Sequence, residues 1–265
     1  MGKFVERDLG PVEADHDPLF VRATARTMAV LAAFQDADQP LSLGAIAKAA
    51  HLDRSTAQRI VHTLRKLGYL RRDPHDRGYL PGLRIYDHIF DAMRLDPLVQ
   101  RAVPLLLDLR GRVNERVDLS LIDDTRLVYA VRLQPKREVP HALLVGLSVP
   151  VCCTSAGWAV LSRLPEDEAL AILMRSDRQA FTHATLTDTD AIMAEVRAAA
   201  RTGHAVACEQ LLPGEIGIAS AVTDRAGRPV AAITVTALMS DGTPEELRRA
   251  VAPALMQAAN LLGGG

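Results

Sequence analysis

LSLGAIAKAAHLDRSTAQRIVHTLRKLGYLRR, residues 41–72, is the stretch whose reading decides the fold of the first third of this chain. Ser42 stands where a helix N-cap belongs, and Leu43, Ile46, Ala47 and Ala50 follow at helical spacing. A short turn over 50–53 leads into another helix running to about Leu67, with Ala57, Ile60, Val61, Leu64 and Leu67 as its buried face. Asp53 is the expected cap, and Ser55 with Gln58 three residues on is an alternative capping box. Gly68 closes the helix as a C-terminal glycine. Two short strands, 69–72 and 78–81, then flank the polar turn 73–77. Helix, tight turn, helix and hairpin, in that order, spell a winged helix-turn-helix.

Working outward, residues 22–37 read as a preceding helix, and the stretch 36–40, ending in Pro40, breaks it. Residues 1–20 form an acidic tail without the apolar core and cleavage site of a signal peptide. Downstream, a helix is expected over 82–94, where Leu83, Tyr86, Phe90 and Met93 form a two-heptad seam. That seam suits either a second subunit or packing within the chain. Asp96-Pro97 restarts a helix in cap-then-proline order. Strand patterns follow at 117–122, 126–133, 142–147, 204–210, 217–224 and 229–238, with helices at 155–163, 166–174 and 188–202 between them. Thr243, Pro244, Glu245 and Glu246 open a last helix. The expected organisation is an acidic tail (1–20), a winged helix-turn-helix (21–81), a linker helix (82–96) and a larger domain (97–265). The class is α+β, with a largely antiparallel sheet.

Charge is distributed to match. The chain of 265 residues carries a formal −1, but residues 21–81 hold ten basic residues against five aspartates, +5, which leaves −6 for the rest. A basic segment joined to an acidic remainder fits a nucleic-acid reader attached to a second function. No apolar run reaches the ~20 residues of a membrane span, and the expected compartment is the cytoplasm. Cys152, Cys153 and Cys208 are odd in number and lack the spacing of a structural zinc site.

A recognition helix presents its N-terminal residues to base edges in the major groove. Here those residues are Arg54, Ser55, Thr56, Gln58 and Arg59, followed by His62. Arginine suits guanine, glutamine suits adenine, and short hydroxyls serve base or phosphate. Arg22, Arg26, Arg71, Arg72, His75 and Arg77 are suited to phosphates or the minor groove, and Ser42 is a further DNA-binding candidate. The expected partner is a double-stranded DNA operator.

Leu41-Ser-Leu-x-x-Ile-Ala-x-x-Ala50, Leu52-Asp-Arg-Ser-Thr-x-x-Arg59 and Leu64-x-x-Leu-Gly-Tyr-Leu70 together resemble the DNA-binding domain of the isocitrate-lyase regulator (IclR) family. Gly78-Tyr-x-x-Gly82, Thr154-Ser-Ala-Gly-x-Ala159, Gly203-His-Ala-Val206 and Ala232-Ile-Thr-Val-Thr236 continue the resemblance in family order. It implies a homodimer or tetramer and a C-terminal effector domain related to GAF and profilin-like sensor folds. It further implies a transcription regulator, a repressor by the commoner mode of the family, that needs no cofactor and responds to a small organic acid. Carried over position by position, the effector contacts are His141, Thr154, Ser155, Ala156, Ala207, Gly217, Thr234 and Thr236. Members that bind very small oxo-acids usually have an acidic residue at the place of Ala207 and a cysteine at that of Gly217, and Trp158 stands for a usual lysine. The expectation is therefore a roomier, less polar cavity for an aromatic or other bulky acid. An effector-dependent activator stays open, as does a thiol- or metal-responsive regulator using Cys152, Cys153 and Cys208.

The common catalytic motifs are absent from the sequence: no nucleophile elbow, Walker loop, dinucleotide fingerprint or zinc-protease helix. The acid pairs Asp123-Asp124 and Glu245-Glu246 fall in a turn and a helix start, where structural roles suffice. An enzyme is not expected.

Overall fold

The structure is a computed structural model describing residues 18–35, 37–135 and 145–264. It divides into two compact units, one ending at Arg94 and the other beginning at Leu95.

In the first unit α1 (Arg22–Ala32), α2 (Leu43–Ala49) and α3 (Arg54–Lys66) surround a core of Val30, Ile46, Ala50, Val61, Leu64 and Leu70. The caps follow the side-chain chemistry. Ala45 N–H donates to Ser42 Oγ at 3.1 Å, and Thr56 N–H donates to Asp53 Oδ1 at 2.9 Å. Ser55 does not head its own box; its hydroxyl donates to Asp53 at 2.6 Å. Helix α1 is shorter than expected, because the backbone turns after Ala32 while Phe34 still packs against the core. Strands β1 (Leu70–Arg72) and β2 (Tyr79–Pro81) pair antiparallel as a wing. Leu41 adds a bridge to Tyr79, so close that a Cβ on Gly78 would meet the Leu41 carbonyl oxygen at 2.3 Å. Helix α4 (Arg84–Leu95) begins two residues later than its pattern and has no buried residue.

The second unit is built on a six-stranded antiparallel sheet in the order β5-β4-β3-β8-β7-β6. The strands are β3 (Arg116–Asp123), β4 (Arg126–Leu133), β5 (Ser148–Pro150), β6 (Ala205–Cys208), β7 (Glu215–Thr223) and β8 (Pro229–Leu238). Of the strand expected over 142–147, residues 142–144 lie outside the described residues; Gly146 N–H and the Leu147 carbonyl bond Tyr129 of β4 at 2.8 and 3.0 Å, and the regular strand begins at Ser148, opposite Val128. Helices α5 (Pro97–Val113) and α9 (Pro244–Gly263) pack on each other and on the sheet. Asp96 caps α5 through Leu98 and Val99 N–H, and Thr243 with Glu246 forms a capping box on α9. Helix α6 (Ser155–Leu161) is buried throughout and lies on β7 and β8, with α8 (Thr189–Thr202) against it and α7 (Glu166–Arg175) packed on α8. Gly157 lets α6 lie close against the chain that leaves β5, since a Cβ there would sit 2.0 Å from the Val151 carbonyl oxygen. The α+β expectation, with a helix-turn-helix before an antiparallel sheet, describes the observed architecture.

Candidate functional site

Two surfaces collect the residues singled out above. On the first unit, burial of Ala57, Val61 and Leu64 turns the opposite face of α3 outward. Arg54, Ser55, Gln58, Arg59 and His62 are exposed there, and Thr56 is half-buried. Ser55, Gln58, Arg59 and His62 line an open groove shared with Thr63, Arg65 and Tyr79 of the wing. Ser42 is exposed, but its oxygen is occupied as a cap. Hydrogen bonds from Ser55 and Thr56 hold the Asp53 carboxyl well below the usual carboxylate range, so the helix start is fixed by a permanent anion.

The wing arginines differ in their tasks. Arg77 forks onto Asp73 with bonds of 2.8 and 3.1 Å, and that fork holds the Asp73 carboxyl down at about 2. Arg72 pairs with Asp76 at 2.7 Å and stacks over the Tyr79 ring. Both therefore brace the wing, a task that sequence reasoning assigned to neither. Arg71 and Arg22 are exposed, and Arg26 is half-buried in α1.

In the second unit the sheet register assembles a cavity. Arg116, Thr236, Gly217 and Ala207 stand opposite one another across β3, β8, β7 and β6, forming one cross-strand row. Asp118, Thr234 and Ala219 form the next row on the same face, two residues along each strand. Thr154, Ser155 and Ala156 at the start of α6 close over these rows, with Tyr129, Cys153, Gln210, Leu211, Leu212 and Glu215 completing the wall. Seven of the eight proposed contacts thus line one cavity; the eighth, His141, lies outside the described residues.

This cavity is smaller than the expectation drawn from Ala207 and Gly217, and charged side chains stand on its otherwise mainly apolar wall. Its volume is about 50 Å³, enough for water but below the range of drug-sized sites. Ser155 fills the room left at Gly217: a Cβ there would meet its Oγ at 2.7 Å. Polarity comes from a row that composition at 207 and 217 does not reveal. Buried Arg116 donates to both Glu215 carboxylate oxygens at 3.1 and 3.0 Å, and its Nε lies 3.4 Å from Asp118. Arg132 forks onto Asp118 at 3.0 Å twice and lies over the Tyr129 ring, 3.8 Å from its centre.

Burial pushes the Asp118 carboxyl up, yet both oxygens accept from the Arg132 fork, so it stands as a carboxylate. Burial also pushes the Tyr129 phenol up to about 12, which keeps it neutral. The Thr234 hydroxyl is buried without a hydrogen-bond partner among the described residues, an unmet polar group beside the cavity it lines. Arg116, Tyr129 and Glu215 were missed by sequence reasoning. Their signal was the alternation of charge in Arg116-Val-Asp118, unusual for a strand and intelligible only as a paired row.

Trp158 does not line the cavity; its indole N–H donates to the Cys152 carbonyl at 2.8 Å in the core. Cys152 and Cys153 are buried free thiols, and a thiol–thiol hydrogen bond from Cys153 lowers the Cys152 pKa. Among the described residues no three His, Cys, Asp or Glu side chains converge on a metal position, and no helix is long and apolar enough to cross a membrane.

Residues 91–262 match the family model described as bacterial transcriptional regulator IclR C-terminal, and residues 23–74 match the IclR helix-turn-helix domain. The chain belongs to the IclR family. It is a transcriptional regulator of that family, whose members are DNA-binding proteins and not enzymes. The Pca regulon regulatory protein of Pseudomonas putida is 28% identical over 243 residues, 91% of this chain and 83% of that protein. The regulator XynR of Escherichia coli K12 is 25% identical over 227 residues, 86% of this chain and 90% of its own. Among solved IclR-type structures, a transcriptional regulator from Rhodococcus sp. RHA1 superposes with a TM-score of 0.80 at 28% identity, covering 92% of this chain and 98% of that one. An IclR homolog from Microbacterium hydrocarbonoxydans, solved with 4-hydroxybenzoate, has a TM-score of 0.72 at 24% identity, covering 91% and 98%.

Proposed function

We propose that this IclR-family chain is a repressor whose operator affinity is set by a small organic acid held in the β3–β8–β7–β6 cavity. The observation that carries the reading is Arg116, a buried guanidinium on the wall of a cavity whose Thr234 hydroxyl is unmet. A planar fork of N–H donors beside neutral hydroxyls suits a carboxylate with a polar substituent. The hydroxybenzoate-bound Microbacterium homolog, and an Acinetobacter PobR inducer-binding domain solved with 3-hydroxybenzoic acid, support an aromatic acid. At the cavity's present size a benzoate ring requires Leu211 and Leu212 to move outward, and that motion is where binding begins to act on the rest of the unit. AllR, a repressor of Escherichia coli that is 25% identical, supports the sign of regulation.

In this reading residues 21–81 bind DNA, 82–96 link, and 97–265 sense. Arg54, Ser55, Thr56, Gln58, Arg59 and His62 meet base edges, while Arg22, Arg26, Ser42 and Arg71 meet the backbone, with Arg72 and Arg77 doing so from a braced wing. Helix α4 exposes Leu83 just before it and Tyr86, Ile89 and Phe90 along it, a seam for a second copy of the chain. Effector binding shifts the dimer between two spacings of its recognition helices, a coupling that needs only ~1–3 kcal/mol.

The test is a mobility-shift titration on the DNA upstream of the chain's own gene, with and without 4-hydroxybenzoate. Retained DNA binding that no monocarboxylate alters, together with no binding of such acids to the isolated protein, refutes the effector assignment. Failure to bind any such DNA refutes the whole reading.

A further inference from the structure

Four charged side chains form one linked group, of which Arg116 and Glu215 line the cavity and Asp118 and Arg132 stand behind them. Two guanidiniums against two carboxylates leave the group neutral before anything binds. An incoming carboxylate would add a buried negative charge without a counter-charge, and such a charge is strongly disfavoured. One of the four must yield, and their settings are unequal. The Asp118 side chain is 0% exposed and held by two guanidiniums. Arg132 is 2% exposed, clamped between Asp118 and the Tyr129 ring. Arg116 is 9% exposed and keeps its Asp118 contact whatever happens to Glu215.

Glu215 is the exception. Its side chain is 17% exposed, and Arg116 is its single cationic partner among the described residues. It also follows Gly214, whose φ of +75° ends the turn that carries Leu211 and Leu212 over the cavity.

We infer that Glu215 is an internal competitor for Arg116, occupying the guanidinium fork that a ligand carboxylate takes over when Glu215 swings toward solvent. This deepens the reading of the cavity as an acid site and rests on it. The exchange keeps the buried group neutral, because one carboxylate replaces another. It also sets specificity. A monocarboxylate satisfies the exchange, a dicarboxylate leaves one charge unpaired, and a neutral amide has too little affinity for the guanidinium to displace Glu215.

Calorimetric titration of the full chain with 4-hydroxybenzoate, 3-hydroxybenzoate and benzoate tests this. Glu215→Gln keeps the size of the side chain but weakens the competitor, and should bind the acids about tenfold more tightly than the wild type. Glu215→Asp, too short to reach the fork, should shift affinity the same way, which guards against a folding defect in either variant. Arg116→Gln introduced with Glu215→Gln should abolish the gain. On the wild type alone, 4-hydroxybenzamide should bind at least tenfold more weakly than the acid. If the wild type binds these acids and both Glu215 variants bind them equally or less well, Glu215 is no competitor and the inference falls alone. If neither wild type nor variants take any of the acids, the acid reading itself falls, and the inference with it.

Discussion

Arg59 on α3 and Arg116 in the cavity wall carry the same guanidinium in opposite settings. Arg59 is exposed, so its charge is solvated and the fold neither needs it nor is strained by it. It can meet a polyanion with only counterions to displace. Arg116 is buried and held by Glu215 and Asp118, so its charge is balanced inside the fold. A ligand must take the place of one of them. The difference teaches that the DNA-facing surface works by addition of contacts, whereas the cavity works by exchange.

The sharpest way to break this contrast is to remove a buried partner. Asp118→Ala leaves two guanidiniums facing each other, and should destabilise the second unit by about 3–5 kcal/mol, read as a lower unfolding midpoint in denaturant. A loss below ~1 kcal/mol would mean that Asp118 does not hold the two guanidiniums in place. Next in size is Arg59→Ala, which should leave the unfolding midpoint unchanged and cost ~1–3 kcal/mol of operator affinity with relaxed base choice at one position. Equal losses on operator and random DNA would move Arg59 to the phosphate class.

Smaller again is Arg71→Ala. It should weaken all sequences alike and lower the slope of log K against log salt by about 1. Asp73→Asn should show mainly in acid. Folded Asp73 sits at about 2 against an ordinary 3.8, so its stabilising contribution is present above pH 3.8 and is lost as pH falls toward 2. The wild-type first unit should therefore lose melting temperature over that window, and the asparagine variant should lose less. An identical acid profile for both would detach the Arg77 fork from wing stability.

Local chemistry explains what was legible. Caps such as Ser42, Asp53, Asp96 and Thr243 act over three residues, so a reader of the chain finds them in place. Thr234 and Thr236 were recognisable as same-face neighbours because strand period is 2. Arg116 was not, since its meaning depends on β8 lying beside β3 and β7 beside β8, more than 90 residues away along the chain. The regular strand beyond 142–147 was not legible for a related reason. Pairing is chosen by the partner strand, and β4 carries it past Gly146 and Leu147 on to 148–150. Arg72 and Arg77 were read as charges for DNA, yet a tight wing turn brings Asp73 and Asp76 within reach of them.

By itself the sequence determined the helix-turn-helix, its wing, the caps and the exposed basic face of α3, because each rests on contacts within a few residues or on the helical period. Only the tertiary structure decided the character of the cavity. Small residues at 207 and 217 pointed to an open apolar space, and the fold set Ser155 into that space and Arg116 with Glu215 on its wall. A cavity's volume and charge are sums over strands that sequence keeps apart, and the register that joins them is settled by packing of the whole sheet.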